Sequence, residues 1–359
     1  MRGRMTAGVL SALAAIVLMA LIYVGSRGLK DFDAALIGYA VGTVVATAAL
    51  VYRYALWVRR PSTWRYFKGG WGTLLNGRTA GRVLLMLPRA LFTDILAQTY
   101  ILPRGKLRWF AHLCLFWGVM LSFAVTLPLT FGWLRFTLIP PARDYQAWVF
   151  GIPLIQFPAE SLIGFLFFHS LNFTAILVIV GAVLFLWRRN TDAGLLTTQH
   201  FSFDMLPLFM LLAISLSGLA LTASATFWEG HYYWFISLSH QVVVVVWLLY
   251  LPFGKFFHII QRPATIGVKL YQNVSHDIEH YTDRGSPAAE GVAAPAACAR
   301  CGDELPSAQF IADLKATLHD LGQSYALPDG QGELQDYCPA CKRILRGQAY
   351  YQYLGKRFL

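Results

Sequence analysis

Apolar residues run in long blocks along this chain, and polar residues collect between them. Six blocks stand out: Ala7 to Val24, Ala34 to Trp57, Trp109 to Phe131, Leu162 to Trp187, Asp204 to Ser224 and Trp234 to Gln261. Each approaches or exceeds the roughly 20 residues that an α-helix needs to cross the hydrocarbon layer. The pattern predicts an all-α polytopic membrane protein built as a six-helix transmembrane bundle. The second block ends in a basic and aromatic cluster, Arg53, Arg59, Arg60, Arg65 and Lys68, with Trp57, Trp64 and Tyr66 among them. Lys106 and Arg108 precede the third block, Arg188 and Arg189 close the fourth, and Lys255, Arg262 and Lys269 close the sixth. With six spans all these clusters fall on one side, which the positive-inside rule makes the cytoplasm. Both termini are then expected in the cytoplasm of a bacterial or archaeal cell, with the bundle in its inner membrane. The first block reads as a retained span, because no small-residue cleavage site and soluble domain follow it.

Two stretches depart from this pattern. Arg78, Arg82, Arg89 and Asp94 interrupt the apolar residues of Gly69 to Gly105, which reads as an amphipathic segment on the inner surface. Leu134 to Ser161 carries Pro140, Pro141, Pro153 and Pro158 and reads as an outward loop. After the sixth block the composition changes. Residues 270–297 end in GSPAAEGVAAPAA, a linker by composition, and residues 298–359 form a small polar tail. The expected organisation is an N-terminal helix and loop over 1–33, a core over 34–269, the linker, and the tail.

The chain has 359 residues, 56% hydrophobic and 14% charged. Soluble domains carry about 25% charged residues. The net charge of +11 would suit a nucleic-acid partner, but the basic residues flank apolar blocks, so lipid headgroups are the expected partner and nucleic acid is not.

The sixth block holds His240 and His258, eighteen residues apart. On one continuous helix that spacing is five full turns, which places both imidazoles on one face and roughly 27 Å apart along the axis. One helix could then present a ligand near each membrane surface. Such histidines are either polar groups bonded to neighbouring helices or haem ligands, since haem iron takes an imidazole on each face. Depth pairs His258 with His112, which lies one turn into the third span, and His240 with His169 near the outer end of the fourth. His200 and His231 sit at membrane edges. His231 and Glu229 are candidates for proton exchange with a quinol at the outer surface. Arg108 and Lys255 could offset haem propionates or simply anchor the spans.

Of five cysteines, Cys114 lies alone in an apolar helix. The others form CARC, Cys298 to Cys301, and CPAC, Cys338 to Cys341, the spacing of a four-thiolate site built from two knuckles. Zinc is the first choice for this site and iron the alternative. A tail of about sixty residues has little core, so a metal would help it fold. Between the knuckles, Ser307 to Leu321 has helical periodicity with Ser307 placed as an N-cap.

The last three spans, above all HQVVVVVWLLYLPFGKFFH, resemble the cytochrome b (gamma) subunit of respiratory nitrate reductase and the membrane subunits of heterodisulfide-reductase-like complexes. The carrying residues are His240, Pro252, Phe253, Lys255, His258 and His112. The resemblance covers about Ala34 to Arg262 and implies a five-span core, with the first span added to it. It also implies one or two b-type haems, exchange with menaquinone or ubiquinone, and a cytoplasmic iron–sulfur partner. The nitrate reductase type places a second histidine about ten residues after the position of His112, where this chain has Ser122 and Phe123. Either His169 takes that role or the outer haem is missing. Two other classes compete: a haem-free membrane anchor or transporter, and a zinc-bearing docking or assembly factor. A transporter usually shows internal repeats or paired broken helices, and neither stands out.

Overall fold

A computed structural model describes residues 2–141, 143–191, 200–268, 270, 295–323, 325–327, 330 and 332–355. Among them, six helices are long and apolar enough to cross a membrane. The chain divides into two compact units, residues 1–56 with 88–266, and residues 57–87 with 267–359.

The first unit is the bundle. Its helices are α1 (Arg2–Gly25) and α2 (Ile37–Val58), followed later in the chain by α5 (Lys106–Thr130) and α6 (Leu162–Thr191). Two more follow, which we number α7 (Leu206–Phe227) and α8 (Tyr233–Tyr250). Large apolar side chains such as Val9, Ile37, Phe165 and Val242 stay exposed along them, as a lipid-facing surface requires. Small residues set the closest approaches. A Cβ added at Gly118 on α5 would meet Val178 at 2.6 Å, and one at Gly181 on α6 would meet the Ala111 carbonyl oxygen at 2.6 Å. Such mutual glycine contacts let two backbones pack directly inside a membrane. Gln241 donates to the Ala35 carbonyl at 3.0 Å, and Ser11 to Ala48 at 2.7 Å, which tie α8 to the 3₁₀ turn before α2 and α1 to the middle of α2. The central apolar cluster joins Ala46, Val178, Leu211, Trp247, Leu248, Leu251 and Phe256.

The 134–161 stretch, expected as a loop, forms an antiparallel sheet: β1 (Leu134–Ile139), β2 (Asp144–Val149) and β3 (Ile152–Pro158), in the order β1-β2-β3. The prolines do not prevent it, because Pro140 and Pro141 form the turn and Pro153 and Pro158 lie on the edge strand β3. Asp31, between α1 and α2, accepts from Arg27 at 2.6 and 2.7 Å and pairs with Arg135 of β1 at 3.2 Å. These pairs fasten the α1–α2 turn to the sheet.

The sixth apolar block is not one helix. α8 stops at Tyr250, a turn covers 251–254, a 3₁₀ turn covers Lys255–Phe257, and a new helix, α9, runs over 258–268. The single-face geometry expected for His240 and His258 therefore does not hold. Pro252 has no N–H to give the ladder, and Gly254 takes an extended backbone (φ −86°, ψ −164°). A Cβ at Gly254 would fall 2.3 Å from the Tyr250 ring. The break is held from two sides. Arg53 of α2 donates to the Pro252 carbonyl and lies over the Phe257 ring at 4.3 Å. Lys255 donates to Asp204 at 2.7 Å, and Arg189 also reaches Asp204 at 3.2 Å.

The segment from 69 to 105 is short helices: α3 (Pro61–Leu75), α4 (Gly77–Ala90), a π turn (Leu91–Leu96) and a 3₁₀ turn (Thr99–Arg104). In the second unit, β4 (Pro295–Ala297) pairs with β5 (Glu304–Ser307), followed by α10 (Ala308–Asp320) and α11 (Pro339–Gly355). The helix expected between the knuckles is α10. α3 meets α10 through Tyr66 and Phe310, with ring centroids 5.5 Å apart. Most of the expected linker, with His276 and His280, lies outside the described residues.

Candidate functional site

His112 and His258 come together. Their ring centroids are 6.3 Å apart with the planes at 66°. Two imidazoles on opposite sides of one metal, each with a metal–nitrogen bond of about 2.0 Å, have centroids roughly 6.3 Å apart. Both rings are also oriented from behind. His112 Nδ1 lies 2.6 Å from Gln98 Oε1, and His258 Nδ1 lies 2.6 Å from the Lys255 carbonyl oxygen. Those oxygens can only accept, so each Nδ1 carries the hydrogen and each Nε2 keeps its lone pair. A second group fixing the tautomer is the usual support of a histidine that ligates metal. The donor set therefore fits an iron porphyrin held by two imidazoles. The break at Pro252 to Gly254 produces this arrangement, since it starts α9 at His258.

Gln98 was not visible in the sequence as a functional residue. It sits between the π turn and the 3₁₀ turn before α5, buried to 4% exposure, in the left-handed region at φ 50°. Only the fold places its amide against His112. Lys255, a candidate partner for propionates, is engaged with Asp204, and Arg262 lies 5.7 Å from the Tyr100 ring centroid.

His240 and His169 are not brought together. His240 lines a cavity of about 420 Å³ that also takes in Tyr39, Ser122, Phe123, Asn172, Gly218, Thr222 and Trp247. His169 is not among the lining residues. Its Nδ1 bonds the Phe165 carbonyl oxygen at 3.0 Å, and its ring stacks on Phe165 at 4.4 Å. Among the described lining residues His240 is the only histidine, and none is a cysteine or methionine. A second porphyrin held by two imidazoles does not fit this cavity. Depth matching cannot tell which face of α6 turns inward. Glu229 and His231 line an open hollow with Phe227, Trp228 and Tyr232, and both are exposed. His200 donates its backbone N–H to Asp204 at 3.1 Å.

In the tail, the ligand atoms of Cys298, Cys301, Cys338 and Cys341 all lie within 4.8 Å of one another and could hold a metal ion. Cys301 and Cys338 sulfurs are 3.6 Å apart. Zinc–sulfur bonds of about 2.3 Å in a tetrahedron give an edge of about 3.8 Å. All four are free thiols, and three are buried. Backbone N–H groups point at the sulfurs: Cys338 to Cys298 at 3.2 Å and Cys341 to Cys338 at 3.4 Å. Burial alone would raise the Cys298 thiol, but N–H groups around it, including those of Cys301 and Cys338, outweigh that and bring it below its ordinary value. The knuckle is shaped by Gly302 at φ 74°, a left-handed position that favours glycine.

No protein-family model and no solved structure matches the chain. Over 212 residues it is 28% identical to one of the subunits of dihydromethanophenazine:CoB–CoM heterodisulfide reductase from Methanosarcina acetivorans, covering 56% of this chain and 73% of that protein. The six apolar helices and this similarity together make the chain a heterodisulfide-reductase-like membrane protein.

Proposed function

We propose that this chain is a membrane cytochrome b subunit that passes electrons between a membrane quinone and an iron–sulfur protein in the cytoplasm. The observation that carries the reading is the imidazole pair, His112 and His258, spaced and oriented for one metal. Bound between them, haem b supplies one-electron transfer. His112 and His258 would ligate it, while Gln98 and the Lys255 carbonyl keep each Nε2 free to do so. The relative is part of a reductase that, by its name, works on dihydromethanophenazine and a heterodisulfide, and this supports an electron carrier within a larger complex. The basic ends of the spans support a cytoplasmic tail, and its four thiolates suit zinc, with iron as the alternative. The expected division into a 1–33 helix, a 34–269 core, a linker and a 298–359 tail belongs to the same proposal.

The test is a reduced-minus-oxidised absorbance spectrum of the purified full chain. Low-spin b-haem bands are expected, and His112→Ala or His258→Ala should each remove them. A folded, haem-supplied preparation without such bands would overturn the reading.

A further inference from the structure

Two side chains on one helix that line the cavity, Trp247 and His240, have hydrogen-bonding capacity left over. Trp247 is 5% exposed, lines the cavity, and its indole Nε1–H has no partner. A buried donor left unpaired is costly and points to a missing acceptor. The second is His240. Ser217 has one hydroxyl hydrogen, and its oxygen lies 2.6 Å from the Ala213 carbonyl oxygen and 3.1 Å from that of Ile214, both pure acceptors. Ser217 therefore donates there and accepts from His240 Nδ1–H at 2.9 Å. The lone pair of His240 is on Nε2. Several other polar lining groups already donate elsewhere: Thr43 to Tyr39, Ser122 to Thr174, Thr126 to Ser122 and Thr222 to Asn172.

Trp247 follows His240 by seven residues on α8. That is about 20° short of two turns and about 10.5 Å along the axis, so both side chains leave the same face. An aromatic ring with two para oxygens roughly 5 Å apart, and a hydrogen bond of about 2.8 Å at each end, spans about 11 Å. The volume of about 420 Å³ falls within the usual range of small-molecule pockets. We infer that this cavity binds the headgroup of a para-quinol, with one hydroxyl donating to His240 Nε2 and the opposite oxygen accepting from Trp247 Nε1–H. The reduced form is preferred. An oxidised carbonyl facing Nε2 would set acceptor against acceptor. The inference rests on the quinone reading above and adds to it a place and a redox preference. It also puts the quinol where a second haem would otherwise sit.

The full chain, loaded with haem and held in nanodiscs under anaerobic conditions, is titrated with menadiol and with menadione. Menadiol should bind the tighter of the two. Trp247→Phe, which keeps the apolar bulk, should weaken menadiol about fivefold, the loss of one ordinary hydrogen bond. His240→Phe should weaken it and erase the preference over menadione. Haem bands in both variants report that the bundle has folded, and pyridine haemochrome should give one haem per chain. Wild-type affinity in both variants overturns the inference. So do two haems per wild-type chain with one lost in His240→Phe. If menadiol reduces the wild-type haem yet binds both variants unchanged, only the placement fails. If it neither binds nor reduces the wild type, the quinone reading fails with it.

Discussion

Gly181→Ala on α6 should disable the His112–His258 pair by displacing α5. The added methyl would lie 2.6 Å from the Ala111 carbonyl oxygen and 2.8 Å from Leu115 Cγ. Ordinary Cβ contacts begin at about 3.4 Å, so the helices must part by about 0.8 Å. The Leu115 side chain can turn away, but the Ala111 carbonyl belongs to the α5 backbone and cannot. Ala111 is the neighbour of His112, so the shift passes directly to that ligand. Metal–ligand distances tolerate about 0.2 Å. A displacement several times larger should break low-spin coordination as well as cost about 1–3 kcal/mol in overpacking. The assay is haem content and the reduced spectrum of purified Gly181→Ala, with thermal unfolding in parallel. The control is Gly8→Ala on α1, where an added Cβ meets nothing within 4 Å. The expected result is a weakened or high-spin haem signal and a lower melting temperature in the first variant and neither in the second. A Gly181→Ala protein with a full low-spin spectrum and unchanged melting would refute the packing argument.

Two further outcomes follow from other regions. Elemental analysis of the full chain should give one zinc, and Cys338→Ser should lose it to a mild chelator and leave residues 298–355 open to proteolysis. A tail that resists proteolysis without any metal would contradict the four-thiolate assignment. In the α1–α2 turn, the Arg27 hydrogen bonds to Asp31, helped by nearby Arg135 and Lys30, hold the carboxyl below its usual range. A depressed carboxylate contributes stability that is fully present above its unfolded value, about pH 3.9, and is lost as pH falls through the folded value. Asp31→Asn should lower the melting temperature at pH 7 and flatten its decline on acidification. Identical profiles for the two proteins would remove the Arg27–Asp31–Arg135 cluster from the account.

The spans were legible because about twenty apolar residues in a row have few other uses. The four-cysteine cluster was legible because cysteines at that spacing are rare by chance. His112 and His258 could be matched by depth. The break between α8 and α9 was harder to see, since Pro252 and Gly254 sit inside a run whose apolar residues continue on both sides. The sheet from Leu134 to Pro158 was hidden by its prolines, which lie at the turn and on the edge strand. Gln98 gave no local signal, because its role depends on a left-handed backbone and on a helix that follows it. For His169 the limiting quantity was rotation: depth can be counted along a helix, but the side that meets the bundle depends on neighbours the sequence does not name.

The interruption at Pro252 to Gly254 divides the last span into two pieces that still share a core, since Phe256 packs on Trp247 and Tyr250. A one-residue insertion in α8 would swing His240 by about 100° around its axis. His258 would move less, because Arg53 and Asp204 give the far piece anchors of its own. A change of register at one end is thus damped before it reaches the other.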